Sequence, residues 1–444
     1  MLDFLGTQAV FLKAGGHSWE GASGQKNRPQ IGAGRVLLIQ RLRRVLEANY
    51  RIQVESSNNL IAKVNRKKNK RRRDLQSKHV PVPTSKDAAV LNALRGRRDW
   101  EIRAIDLLHK IGFLTTPSWV NMARLSASWA TRRYFWAIAE PSDGEVRFRL
   151  SDDARKMDFH QKTLLSDEFG IGVAGLLLER YFVAASFVDI SVALGDPGAY
   201  QEIEHEGEAQ PDYLMWGDGE NSPYYVVECK GTQSSRNTSY DQLRRGLEQV
   251  PTIVLGAGPR QIVTLVVATC LLADGTEVFV LDPPPDSPEG DRPDKRLSDG
   301  VSERTGKRAW RILNPVAFSE RSIIAEESNL LKWAGQYSTA NMRERRLDRI
   351  APQLVGMPNA PLETKRTNFG RFSGVEQPLF PELGTPGLRI FTGVEHDLLD
   401  SLIRQPPEAR RVDQPRQIEV PDPNQLPATV SVSGSGSCMI IDGL

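Results

Sequence analysis

The chain has 444 residues, 39% hydrophobic and 7% aromatic, which suits two or three globular domains and excludes a fully disordered protein. Lysine and arginine total 58 against 55 acidic residues, a net charge of +3, so overall charge points to no partner class and only local clustering is informative. Cys229, Cys270 and Cys438 lie far apart and form neither a disulfide framework nor a zinc-ligand pair, and no apolar run approaches the ~20 residues of a membrane span; these features predict a cytoplasmic protein without a membrane partner.

Residues 1–85 read as a basic N-terminal region. In GRVLLIQRLRRVLEANYRI, Val36, Ile39, Leu42, Val45 and Leu46 recur at helical spacing, with arginines on the other face. RIQVESSNNLIAKV reads as a strand pair. The run that follows concentrates Arg66, Lys67, Lys68, Lys70, Arg71, Arg72 and Arg73. Such a run can neutralise nucleic-acid phosphates; the plainer reading is a solvated basic segment with no specific partner. VPVPTS then breaks the chain at Pro81 and Pro83.

Residues 86–160 are expected to be a helical subdomain. DAAVLNALRGRRDWEIRAIDLLHKIGF repeats apolar residues every three or four positions, with Gly112 as its stop. The next helix carries Trp129, Tyr134 and Trp136 beside Arg132 and Arg133. A helix-turn-helix module fits this pattern, but nothing marks a recognition helix, so a plain helical subdomain is the favoured reading.

Residues 161–345 alternate helix and strand signals, as expected of an α/β domain with a central mixed sheet flanked by helices. GIGVAGLLLERYFVAA reads as an apolar helix, and PDYLMW and PYYVVECK as short strands. TSYDQLRRGLEQV reads as a helix opened by a Ser239–Gln242 capping box, with Leu243, Leu247 and Val250 turned inward. QIVTLVVATCLLADGTEVFVLDP reads as two strands joined at Asp274–Gly275. A Pro-rich loop occupies 282–305, and WRILNPVAF and AEESNLLKWAGQYS are expected to complete the domain. The C-terminal extension, 346–444, is Pro-punctuated, with a structured piece at GLRIFTGVEHDLLDSLI and a Gly/Ser hinge in SVSGSGSCMIIDGL.

Chemistry concentrates in PDYLMWGDGENSPYYVVECKGTQ. Asp212 heads one apolar strand, and Glu228 and Lys230 close the next. Strand side chains alternate faces, so Glu228 and Lys230 share one face and Cys229 takes the other. Two carboxylates from adjacent strands, with the Cys229 backbone carbonyl as a third oxygen, suit a hard divalent cation such as Mg²⁺. A neighbouring ammonium can orient a water or stabilise negative charge at phosphorus. The alternative is an edge strand with a solubilising Glu–Lys pair, which leaves Asp212 unexplained.

Pro211-Asp212 followed by Glu228-Cys229-Lys230 resembles the PD-(D/E)XK nuclease superfamily. That resemblance spans roughly residues 170–285. It implies a restriction-endonuclease-like core and Mg²⁺-dependent cleavage of DNA, less often RNA, with Mn²⁺ able to substitute. It also implies a preceding helix bearing a further acid, for which Glu179 is the candidate, as catalytic assistant and metal ligand. Members often use a Gln or a basic residue on the following helix, which singles out Gln242, Arg244 and Arg245; Gln233 and Arg236 are weaker candidates for backbone contact. Restriction or anti-phage defence is the implied setting, and a homodimer the implied assembly. The chain has no P-loop, so a helicase, ATPase or sensor would have to be a separate partner protein. The rival readings are a non-catalytic nucleic-acid-binding or assembly subunit of the same fold, and an RNA nuclease. A second E-x-K, Glu363 to Lys365, lacks an apolar run before it.

Overall fold

The structure is a computed structural model that describes residues 28–77, 94–115, 123–142, 146–182, 184–190, 203–205, 210–217, 224–250, 253–255, 262–282, 363–367, 370–380, 388–395, 429–433 and 437–442. The chain divides after Ile39 into two units, and every contact below lies within the second. Among the described residues no helix is long and apolar enough to cross a membrane.

Helix α1 (Arg28–Glu47) buries Leu42, Val45 and Leu46, three of the positions at helical spacing. Strand β1 (Asn49–Ser56) follows, alternately exposed and buried at first and then buried throughout its last turnless residues. Helix α2 (Asn58–Ser77) starts where Ser57 accepts the Leu60 amide, an N-cap that satisfies one of the free N–H groups of a first turn. Then come β2 (Gly96–Arg103), α3 (Ala104–Leu114), α4 (Ala123–Tyr134), the short α5 (Asp152–Lys156) and the 24-residue α6 (Phe159–Phe182). Strands β3 (Ala184–Asp189), β4 (Ile203–His205), β5 (Tyr213–Gly217) and β6 (Tyr224–Thr232) precede α7 (Arg236–Gln249), which is followed by β7 (Ile253–Leu255), β8 (Ile262–Leu272) and β9 (Gly275–Leu281).

A mixed central sheet runs β2-β1-β9-β8-β6-β5-β3. The β6–β8 and β1–β9 pairs are parallel, and the others are antiparallel. β4 and β7 form a separate antiparallel pair. One face of the central sheet packs Val226, Val266, Ala268, Cys270, Phe279 and Leu281 against Tyr240, Leu243 and Leu247 of α7, Val250 just after it, and Leu60 and Val64 of α2. Each fully buried aliphatic side chain of this kind contributes about 1.5–3 kcal/mol. The other face meets α6, where Phe182 stands edge-on to Tyr225 with centroids 5.3 Å apart. The architecture is therefore α/β, with helices on both faces of a mixed sheet.

A second sheet, ordered β10-β11-β12-β14-β13, comes from β10 (Glu363–Thr367), β11 (Gly370–Pro378), β12 (Arg389–Glu395), β13 (Thr429–Val432) and β14 (Ser437–Asp442). All its pairings are antiparallel, around a small core of Phe372, Phe391, Cys438 and Ile440. Lys365, the lysine of the second E-x-K, ion-pairs with Glu376 and Asp442 inside this sheet.

Several local expectations are overturned. RIQVESSNNLIAKV is one strand and the start of a long helix, not a strand pair, because Ser57 caps the turn between them. Part of the expected helix at 87–113 is the strand β2, whose outward arginines obscured its alternation. α3 runs past Gly112 to Leu114 and is buried along its whole length, so it is a core helix and cannot enter a groove. The Gly/Ser stretch at 434–436 lies outside the described residues. WRILNPVAF, AEESNLLKWAGQYS and nearly all of the Pro-rich loop lie outside the described residues.

Candidate active site

β5 and β6 pair with Tyr213 opposite Val227, and the Asp212 amide donates to the Val227 carbonyl, 3.1 Å. Continuing that register places Asp212 beside Glu228. Directly opposed residues on one face have Cβ atoms about 4.5–5.5 Å apart, so the two carboxylates are neighbours by strand geometry alone. Lys230, two residues on, ion-pairs with Glu228. Cys229 is buried, and its amide donates to Asp212 Oδ2 at 2.7 Å. The structure thus brings together Asp212, Glu228, Cys229 and Lys230.

Burial dominates the electrostatics. The Glu228 side chain is 0% exposed, lies against α7 at Gly246 and is ion-paired with Lys230. Desolvation, then the charge of Asp212, pushes its pKa up to about 8, with Lys230 and the nearby Asp212 amide opposing. Desolvation also raises Asp212, helped by Asp189 and Asp167 and opposed by the Cys229 amide and Lys230. For Lys230, burial alone would lower the pKa, but Glu228 and Asp212 outweigh it and hold it above the usual lysine value. A buried carboxylate is costly in its charged form. A bound cation would offset that cost and take the carboxylate oxygens as ligands, so the donor set fits a divalent metal. Among the described residues, no three Asp, Glu, His or Cys side chains form a ready-made metal cluster. The donors here are two carboxylates and backbone, which is what Mg²⁺ ordinarily takes from a protein.

The strand end is held from both sides. A methyl group on Gly231 would overlap the Ser166 carbonyl of α6, and one on Gly170 would come 3.0 Å from the Lys230 carbonyl carbon and oxygen. Two glycines therefore let α6 and β6 touch backbone to backbone. Gln233 Nε2 donates to the Lys162 carbonyl and to Ser166 Oγ, each at 3.1 Å. Gln242 Nε2 donates to the Gly231 carbonyl at 2.9 Å, so this residue braces the strand just past Lys230. The helix cap is Ser235, which accepts from the Thr238 amide; Ser239 is a buried residue inside α7, so the expected Ser239–Gln242 capping box is not the start of the helix.

Glu179 is placed elsewhere. Its Oε1 accepts from Lys110 Nζ at 3.0 Å and from Ser433 Oγ at 2.6 Å, and it stands twelve residues along α6 from Asp167, about 18 Å at 1.5 Å per residue. The acid that α6 does deliver is Asp167, half-buried, raised by desolvation and drawn down by Lys230. Sequence reading missed it because it lies in the polar first half of α6, outside the apolar run. Arg244 is likewise misplaced as a phosphate contact: it is 1% exposed and ion-pairs with Glu248 inside the fold, whereas Arg245 is exposed. Arg236 is tied to Glu277, 3.0 Å.

The basic run belongs to α2 and splits in two. Lys63 lies over the Tyr240 ring, Lys67 pairs with Asp241 at 3.0 Å and Arg71 pairs with Glu248, all across the α2–α7 contact. Arg66, Lys70, Arg72 and Arg73 are exposed, and Lys68 is half-buried. Of the aromatics beside Arg132 and Arg133, Tyr134 is buried and pairs edge-on with Trp129 and Phe169, whereas Trp136 is exposed.

No family model, curated protein or solved structure matches this chain.

Proposed function

We propose that this protein is a divalent-cation-dependent nuclease that hydrolyses phosphodiester bonds of DNA, with the PD-(D/E)XK-like resemblance suggesting restriction or anti-phage defence as its setting. The observation that carries this reading is Glu228: a fully buried carboxylate beside Asp212, ion-paired with Lys230 and with its pKa raised to about 8. Asp212 and Glu228, with the Cys229 carbonyl, would hold Mg²⁺ or Mn²⁺, and Asp189 and Asp167 are further acids within electrostatic range. The cation supplies Lewis acidity for attack of water on phosphorus. Lys230, kept protonated by its two acidic neighbours, suits charge stabilisation at phosphorus better than proton abstraction. Gln242 positions the strand through Gly231. The absence of a ready-made three-ligand cluster among the described residues favours the second reading, a nucleic-acid-binding subunit with the same fold and no chemistry.

The test uses supercoiled plasmid, linear duplex, single-stranded DNA and RNA, with Mg²⁺, Mn²⁺ or EDTA. Cleavage that requires the cation and falls about 10²–10³-fold in Lys230→Ala supports the nuclease, the drop expected on removing one group that stabilises transition-state charge. Cleavage unchanged in Lys230→Ala refutes this site. Absence of both cleavage and calorimetric metal binding favours the binding subunit.

A further inference from the structure

From Asn58 to Arg73 helix α2 contains no acidic residue and eight basic ones, and Asp74 is its sole acid. Like charges at i, i+3 and i+4 destabilise a helix unless something neutralises them. Three of the eight, recurring every four residues, meet α7: Lys67 and Arg71 ion-pair with Asp241 and Glu248, and Lys63 lies over the Tyr240 ring. At 100° per residue, Arg66, Lys70 and Arg73 fall within about 60° of one another on a different face. All three are exposed. They span about 10.5 Å along the axis, where one nucleic-acid strand presents a phosphate every ~3.4 Å. The inward trio fastens this ridge to α7, the helix whose Gln242 braces Gly231 and whose Gly246 abuts Glu228. A ridge of cations rigidly joined to the site helix has a geometric use that a free basic tail lacks.

We infer that the Arg66–Lys70–Arg73 face of α2 holds the phosphodiester backbone of a nucleic acid, while Lys63, Lys67 and Arg71 are structural and touch no ligand. The inference rests on the nuclease reading for its biological sense but not for its test. Each phosphate contact releases counterions and contributes about 0.9 to the slope of log K against log salt on duplex DNA. The readout is fluorescence anisotropy of a labelled 20-base-pair DNA duplex in EDTA, where no cation-dependent cleavage occurs, at 50–200 mM salt with the full chain.

The triple variant Arg66→Gln/Lys70→Gln/Arg73→Gln is expected to lower the slope by about 2.7, so that wild type loses roughly 40-fold more affinity than the variant across that salt range. The double variant Lys67→Gln/Arg71→Gln is expected to unfold at lower temperature while keeping the wild-type slope. Circular dichroism checks that the triple variant remains folded, as its exposed side chains predict. An unchanged slope in the folded triple variant overturns the inference. So does an equal fall in slope for the double variant, or displacement of the DNA by polyglutamate as readily as by unlabelled duplex. Because binding is read without cleavage, an inactive protein that shows the expected slopes sinks the nuclease reading and leaves this one standing.

Discussion

Replacing Gly231 with alanine adds one methyl group where β6 meets α6. That carbon would overlap the carbonyl of Ser166 and lie 3.0 Å from the Asp167 amide nitrogen. The obstacle is main chain inside a helix, so no rotamer change relieves it. Carbon atoms in contact ordinarily stand about 3.5–4.0 Å apart, so strand and helix must separate by more than an ångström. Overpacking of a core usually costs about 1–3 kcal/mol, and a clash between two backbones belongs at or above the top of that range. At about 2–4 °C per kcal/mol for a domain of this size, Tm should fall by roughly 6–12 °C. The parting also loosens the hold of Gln233 on Ser166 and shifts Lys230 relative to Asp167, so activity should fall further than stability explains. Gly170→Ala serves as the graded comparison, because its methyl group would sit 3.0 Å from the Lys230 carbonyl without overlapping it, and its loss should be smaller. Thermal unfolding by circular dichroism measures both. A Gly231→Ala protein that melts within 2 °C of wild type, at about 0.5–1 kcal/mol, would refute the close approach of α6 and β6.

Two further outcomes test the acids. With its pKa raised to about 8, Glu228 binds a proton in the folded protein at pH values where the unfolded chain has released it. Stability should therefore fall as pH rises from the unfolded value toward 8, by at most about 1.4 kcal/mol per unit, and Glu228→Gln should remove that slope. Mg²⁺ should raise Tm most at the alkaline end in wild type and not in Glu228→Gln; a flat wild-type profile between pH 5 and 8 contradicts the burial argument. Asp167→Asn should weaken calorimetric Mg²⁺ binding several-fold, whereas Glu179→Gln should leave it unchanged and lower Tm instead, through loss of the Lys110 and Ser433 contacts. Equal effects of the two on metal affinity would return Glu179 to the site.

The core of the site was legible because two local rules agree there. Period-two alternation put Glu228 and Lys230 on one face, and apolar strands at hairpin separation put Asp212 alongside. What escaped depends on partners distant in sequence. α2 has few apolar anchors besides Leu60, Ile61 and Val64; its later turns are joined to α7 by Lys67–Asp241 and Arg71–Glu248, which no periodicity reveals. Gly231 lies inside the strand, which continues to Thr232, and the glycine is needed because α6 passes against it, a neighbour that the local sequence does not show. Glu179 and Arg244 look like functional charges in sequence because charge is visible there and burial is not; each finds its partner inside the fold.

The parallel pairing of β1 with β9 joins Gln53 to Glu277. Closing a loop of roughly 220 residues costs about 5 kcal/mol of chain entropy before any contact repays it. During synthesis at about 5–20 residues per second, β1 waits roughly 10–45 s for that neighbour. Until then the edge of β1 that β9 covers has no partner, because β2 pairs along the opposite edge, and its backbone groups are open to any passing strand. The charged residues along β2 and the single-sign face of α2 flank β1 throughout that interval. The α2 charges that we assign to gripping a polyanion thus also stand guard beside an open strand edge, and replacing them wholesale should lower the yield of folded protein even where the finished fold tolerates the change.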